Sequence, residues 1–180
     1  MRSRHPSLRT RRASGRDSMA KLERRFWLIK SEPSECSFAD LWACRGRTTA
    51  WDGVRNYQAR NFLRDRMQLG DGVLFYHSNA VPPAVVGVAE VARAAYPDPT
   101  QFERGHERFD PRAQVASPAW FAVDIRAVRR LARSVTLDEL KRRPELARMV
   151  VVQRGSRLSV QPVTAAEFAA VLRLGAAPGA

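Results

Sequence analysis

Gly70-Asp71-Gly72-Val73-Leu74-Phe75-Tyr76-His77 decides the fold class. A glycine-rich turn leads into an extended run that is apolar on both faces, the signature of a central strand. Pro82-Pro83 lies in the connection to a second strand, Ala84–Val91. Upstream, Phe26-Trp27-Leu28-Ile29 reads as a buried strand ended by Glu32-Pro33. Downstream, Phe121, Val123, Ile125 and Ala127 alternate with Trp120, Asp124 and Arg126, so Trp120–Val128 reads as a half-buried strand with Phe121 and Ile125 toward the core. A core Phe121 would cost ~3–5 kcal/mol on truncation to Ala. Val150-Val151-Val152 and Leu158-Ser159-Val160 read as short strands flanking a turn at Gly155.

Helices are marked by their starts. Ser37-Phe38-Ala39-Asp40, Thr136-Leu137-Asp138-Glu139 and Thr164-Ala165-Ala166-Glu167 have the form of capping boxes. Asn56 can cap a fourth helix, in which Ala59, Phe62, Leu63 and Met67 follow helical spacing. Residues 96–118 hold four prolines and several charges and read as a long loop; loops of that length inside a compact domain are often functional. The connections suit antiparallel pairing and show no βαβ series, so the expected class is α+β, a mostly antiparallel barrel with helices on its rim.

The chain has 180 residues, 44% of them hydrophobic, enough for one domain with a real core. No apolar run approaches the ~18 residues that span a bilayer, so no membrane partner is expected. Cys36 and Cys44 are too few for a disulfide scaffold and read as free thiols of a reducing cytoplasm. His5, His77 and His106 are isolated, so no metal site is expected, and no G-x-G-x-x-G, Walker A or G-x-S-x-G motif is present, so no nucleotide cofactor is expected either. The net charge is +13. Residues 1–25 carry nine basic and two acidic residues, and the remainder still carries 22 against 16. A polyanion is a plausible partner; the competing reading is the arginine bias of a GC-rich genome. Residues 1–24 lack hydrophobic periodicity and read as a disordered basic leader, with Met19 as an alternative start, while residues 175–180 are expected to fray.

Trp51-Asp52-Gly53-Val54-Arg55-Asn56-Tyr57 is the densest chemistry in the chain. Aromatics, an amide and a carboxylate side by side suit a flat heterocycle, stacked on its faces and hydrogen-bonded at its edge. The same string also fits a turn in which Trp51 plugs the barrel and Asn56 merely caps a helix. Lys30-Ser31 follows a strand end, where a lysine can hold a phosphate, or the segment is a solvated turn. His77-Ser78-Asn79 ends another strand and can reach the same barrel mouth.

Together these strings resemble the EVE domain. The matching residues are Phe26–Pro33, Trp51–Phe62, Phe75–Asn79, Val86–Val91, Tyr96–Thr100 and Gly155–Val163, in one order across about residues 25–174. The resemblance, to the thymocyte nuclear protein family and its bacterial relatives, implies a PUA-like β-barrel with peripheral helices. It implies a non-catalytic reader of a modified base in DNA or RNA, held flipped in an aromatic-lined pocket, acting as a monomer in the cytoplasm or at the nucleoid. The pocket residues it implies are Trp27, Lys30, Ser31, Trp51, Asp52, Arg55, Asn56, Tyr57, Ser78 and Asn79. Among them Trp51 would stack, Ser31 and Asn56 would read the base edge, and Lys30 would face phosphate. Two other readings compete. One is a PUA-like hydrolase or nuclease acting on nucleic acid or a nucleotide-like small molecule, with Lys30, Asp52 and Tyr57 as acid/base groups. The other is a protein-interaction module.

Overall fold

The computed structural model describes residues 23–176, so the leader through residue 22 and residues 177–180 lie outside the described residues. Six strands and four α-helices are formed among the described residues. The strands are β1 (Phe26–Ser31), β2 (Thr48–Trp51), β3 (Gly72–His77), β4 (Ala84–Pro97), β5 (Phe121–Thr136) and β6 (Val160–Val163). The helices are α1 (Phe38–Ala43), α2 (Tyr57–Asp65), α3 (Leu137–Lys141) and α4 (Ala165–Leu174). One mixed sheet runs β2-β5-β4-β3-β1-β6. Only β1 and β3 pair in parallel; every other neighbouring pair is antiparallel.

The class is α+β, but the expected closed barrel is not formed. Strands β2 and β6 are the two edges, and no ladder joins them. Each has only four residues. Pro162 in β6 has no N–H to offer a further strand, the usual property of a proline on an edge.

The sheet is covered on both faces. Trp27 and Ile29, Val73 and Phe75, Val123 and Ile125 meet Phe38 and Leu41 of α1 and Ala59 and Leu63 of α2. On the opposite face Leu28, Leu74 and Val88 meet Leu140 of α3 and Phe168 and Val171 of α4. That double burial is why β3 is apolar throughout. Gly87 of β4 is the closest approach: a Cβ there would lie 2.3 Å from Phe38 Cζ. Gly87→Ala is therefore expected to overpack this layer and lower stability by ~1–3 kcal/mol, read from the denaturation midpoint.

All four helix starts are closed by the residues whose side chains can do so. Ser37, Thr136 and Thr164 form reciprocal capping boxes, and Asn56 Oδ1 accepts from the Ala59 N–H at 3.0 Å.

Several expectations are corrected. Residues 150–152 form a 3-10 turn and not a strand. Phe121 is half-buried and belongs to neither core, so the cost of a fully buried phenylalanine does not apply. Trp120 is buried instead. Strands β4 and β5 run well beyond the lengths that alternation suggests, because repeated register shifts between them break the period. Gly175 does not fray: its carbonyl accepts the Ala132 N–H at 2.9 Å and so ties the end of α4 to β5.

Candidate functional site

A cavity of about 560 Å³ opens where a closed barrel would have sealed. One wall is the edge strand β2, through Thr49, Ala50 and Trp51; the other is the end of β1, through Lys30 and Ser31, with Ser159 just before β6. Residues 52–56 and the 106–108 segment of the long loop complete it.

Two buried polar groups hold the walls together. Asp98 is fully buried and accepts the Gly53 N–H at 2.9 Å, Arg55 Nη1 at 2.8 Å and the Thr100 hydroxyl at 2.7 Å. Desolvation alone would raise the Asp98 carboxyl, but the donors from Arg55, Thr100 and Gly53 outweigh it and hold the pKa below its ordinary value. Gly53 sits at φ +68, a conformation open to glycine at no steric cost. Gln101, also fully buried, donates to the Asp98 and Trp120 carbonyls at 2.7 and 2.8 Å and accepts the Ala119 and Trp120 N–H groups at 3.0 Å. Its amide is fully used, so the loop is built rather than draped.

The far side of the loop is tied by Asp110, which accepts the Trp120 indole N–H at 2.9 Å and the Arg112 N–H at 3.0 Å. These donors pull the Asp110 carboxyl down to about 2. Its folded pKa lies below the ordinary carboxylate value, so its stabilising effect is complete above ~4 and is lost as the pH falls toward 2. Trp120 fluorescence should report release of this contact in that window; an Asp110→Asn variant should lose the corresponding step.

The expected site residues divide clearly. Lys30, Ser31, Trp51, Asp52, Arg55 and Asn56 line the cavity. Trp51 is half-buried, its ring edge-on to Phe75 at 6.0 Å, and its buried indole N–H has no hydrogen-bond partner. Lys30 Nζ donates to the Ser156 carbonyl at 2.8 Å, and burial pushes its pKa down. The Ser31 hydroxyl donates to the Cys36 carbonyl at 2.6 Å, leaving its lone pairs for a ligand. Asp52 has its pKa raised, first by desolvation and then by Asp98, with His106 opposing. Arg55 is not free for a ligand: besides Asp98 it donates to Thr100 Oγ1 at 2.9 Å and, through Nε, to the Arg108 carbonyl at 3.0 Å.

Trp27, Tyr57, Ser78 and Asn79 do not line the cavity. Trp27 alternates with Ile29 into the core, and its indole N–H donates to Asp71 Oδ2 at 2.8 Å. Tyr57 is exposed and stacks on Trp120 at 4.9 Å. The Ser78 N–H donates to the Ser31 carbonyl at 2.9 Å, supporting the wall from behind. Asn79 sits at φ +50 with its amide on Glu32 at 3.1 Å. Lining residues that sequence reading missed include Glu35, Thr49, His106 and Arg108. The unusual length of the 96–118 loop was the only signal for His106 and Arg108.

The cavity is thus lined by an indole, a carboxylate, and lysine and arginine at its walls. Among the described residues no group of His, Cys, Asp or Glu could hold a metal, and no helix is long and apolar enough to cross a membrane.

The EVE domain model matches residues 25–174. Human thymocyte nuclear protein 1 is 44% identical over 165 residues, covering 82% of this chain and 72% of its own. A structure of the human protein in complex with 5-methylcytosine-containing DNA superposes with a TM-score of 0.80 at 42% identity, over 86% of this chain and 99% of that one. A hypothetical protein from Leishmania major is 49% identical with a TM-score of 0.78, over 85% and 95% of the two chains.

Proposed function

This chain belongs to the EVE-domain family, and on that premise we propose that it is a non-catalytic DNA-binding protein that reads a modified base. The base, with 5-methylcytosine the first to test, is held flipped out of the duplex in the cavity beside Trp51. The observation that carries this reading is Trp51 itself, a half-buried indole in the cavity wall whose buried N–H has no partner.

Each wall has a role in this reading. Trp51 supplies the stacking face. Asp52 accepts from the exocyclic amine, the group that carboxylates recognise on cytosine. The Ser31 lone pairs and the Asn56 amide are the remaining edge contacts, and Lys30 and Arg108 face phosphate. Stacking contributes ~1–3 kcal/mol per base while extrusion costs a few, so edge bonds and phosphate contacts must supply the surplus. The Ser31 hydroxyl spends its proton on a backbone carbonyl, which fits a binding role better than a nucleophilic one.

The test is a pair of duplexes of one sequence, with and without a single 5-methylcytosine, titrated by fluorescence anisotropy at one salt concentration. Tighter binding of the methylated duplex, with both strands recovered intact, is expected. Equal affinities would refute the reading, and cleaved strands would favour a hydrolase.

A further inference from the structure

We propose that Arg47 and Arg130, both seated over the ring of Trp42, form a phosphate clamp for the DNA strand whose base enters the cavity. The inference rests on the DNA-reading function and adds a second contact surface to it.

The guanidinium carbons of Arg47 and Arg130 lie 4.0 and 5.2 Å from the Trp42 ring centroid. Both arginines are exposed and Trp42 is half-buried. Among the described residues, neither guanidinium forms a salt bridge with a carboxylate, whereas Arg55, Arg108, Arg126 and Arg133 all do. Stacking on an indole holds a guanidinium's plane and leaves its N–H edge outward, the geometry that grips a phosphate with two parallel bonds. The backbone enforces the placement. Gly46 and Arg47 are both left-handed, at φ +64 and +54, and that region is sparsely populated for arginine. Such outliers persist where the surroundings fix them, and they concentrate at ligand-contacting positions.

Distance links the clamp to the cavity. Arg47 immediately precedes β2, whose last residue is Trp51. From Arg47 to Trp51 the chain advances about 13 Å at ~3.3 Å per residue. One DNA strand advances ~3.4 Å per nucleotide along the helix axis, so the clamp lies about four nucleotide steps from the extruded base. Arg130 reaches the same point from β5, the strand to which β2 is hydrogen-bonded. The β2 edge therefore carries the base site at one end and two uncommitted cations at the other. The cations supply affinity without sequence information, while the cavity discriminates.

The full chain should be titrated with methylated and unmethylated duplexes across about 50 to 200 mM salt. In Arg47→Gln/Arg130→Gln, the slope of log K against log salt should fall by about two, and affinity for both duplexes should fall together by about tenfold or more, with their ratio kept. Arg47→Lys/Arg130→Lys keeps the charge and should retain most of the slope while binding more weakly, which guards against a Gln variant that fails to fold. Arg142→Gln/Arg143→Gln, at exposed positions after α3 on the other face of the sheet, should match the wild type. An unchanged slope in the first variant, or a loss confined to the methylated duplex, would overturn the clamp. A wild type without methyl preference whose slope still falls in the first variant would keep the clamp and refute the base-reading function. A wild type that binds neither duplex would refute both.

Discussion

Trp51→Ala is expected to erase the preference for a methylated duplex while leaving binding to the unmethylated one nearly intact. Removing an aromatic platform costs ~1–3 kcal/mol per stacked base, or about 5- to 150-fold in affinity. The loss should fall on the methylated duplex, because only an extruded base meets the indole. Trp51→Phe separates two contributions. It keeps a stacking face but deletes the indole N–H, which has no partner within the protein. Partial retention of the preference would assign part of the discrimination to that donor. Anisotropy titrations of both variants supply the comparison, with the unfolding midpoint as a check on folding. A Trp51→Ala protein that still prefers the methylated duplex would remove the indole from the site.

Asp98→Ala is expected to be the most damaging single change outside the apolar core. Asp98 is wholly buried and joins Gly53, Arg55 and Thr100 across the cavity wall. Its removal leaves a mostly buried guanidinium without its counter-charge, a class of change that costs ~3–5 kcal/mol. In a domain of this size ~1 kcal/mol shifts the melting temperature by about 2–4 °C, so the drop should be unmistakable. Binding should be lost as well, since residues 53–55 and 98–108 would no longer be held against each other. The native Asp98 pKa is below its ordinary value. The pair therefore stabilises fully above the ordinary carboxylate range, and its contribution fades as the pH falls through the native pKa. The wild type should lose this increment in acid and Asp98→Ala should not. A change under ~1 kcal/mol would mean that the pair contributes little to stability.

What the sequence made legible follows from how local each signal is. The four helix starts depend on residues three apart, and all four appear as capping contacts. Strand β3 was legible because burial on both faces demands an unbroken apolar run. Strand β2 was not: Thr48-Thr49-Ala50 shows no alternation, and it is a four-residue edge held only by β5. The three valines at 150–152 carry strong strand preference yet form a 3-10 turn, since no partner strand reaches them and tertiary context overrides propensity. The Trp51–Asn56 string was recognisable by its mixture of ring, carboxylate and amide. The use of Arg55 was not, because its partner Asp98 lies 43 residues away. Trp27 illustrates the opposite error: a tryptophan alternating with isoleucine in a buried strand is a core residue by period alone.

The central claim is that a base leaves the helix and enters the cavity at Trp51. A duplex carrying 2-aminopurine immediately beside a single 5-methylcytosine tests it most directly, since the probe brightens when its stacked neighbour departs. Saturating wild-type protein should raise the fluorescence of the methylated duplex well above that of its unmethylated counterpart, and Trp51→Ala should not. Saturated binding with no rise in fluorescence would contradict the account.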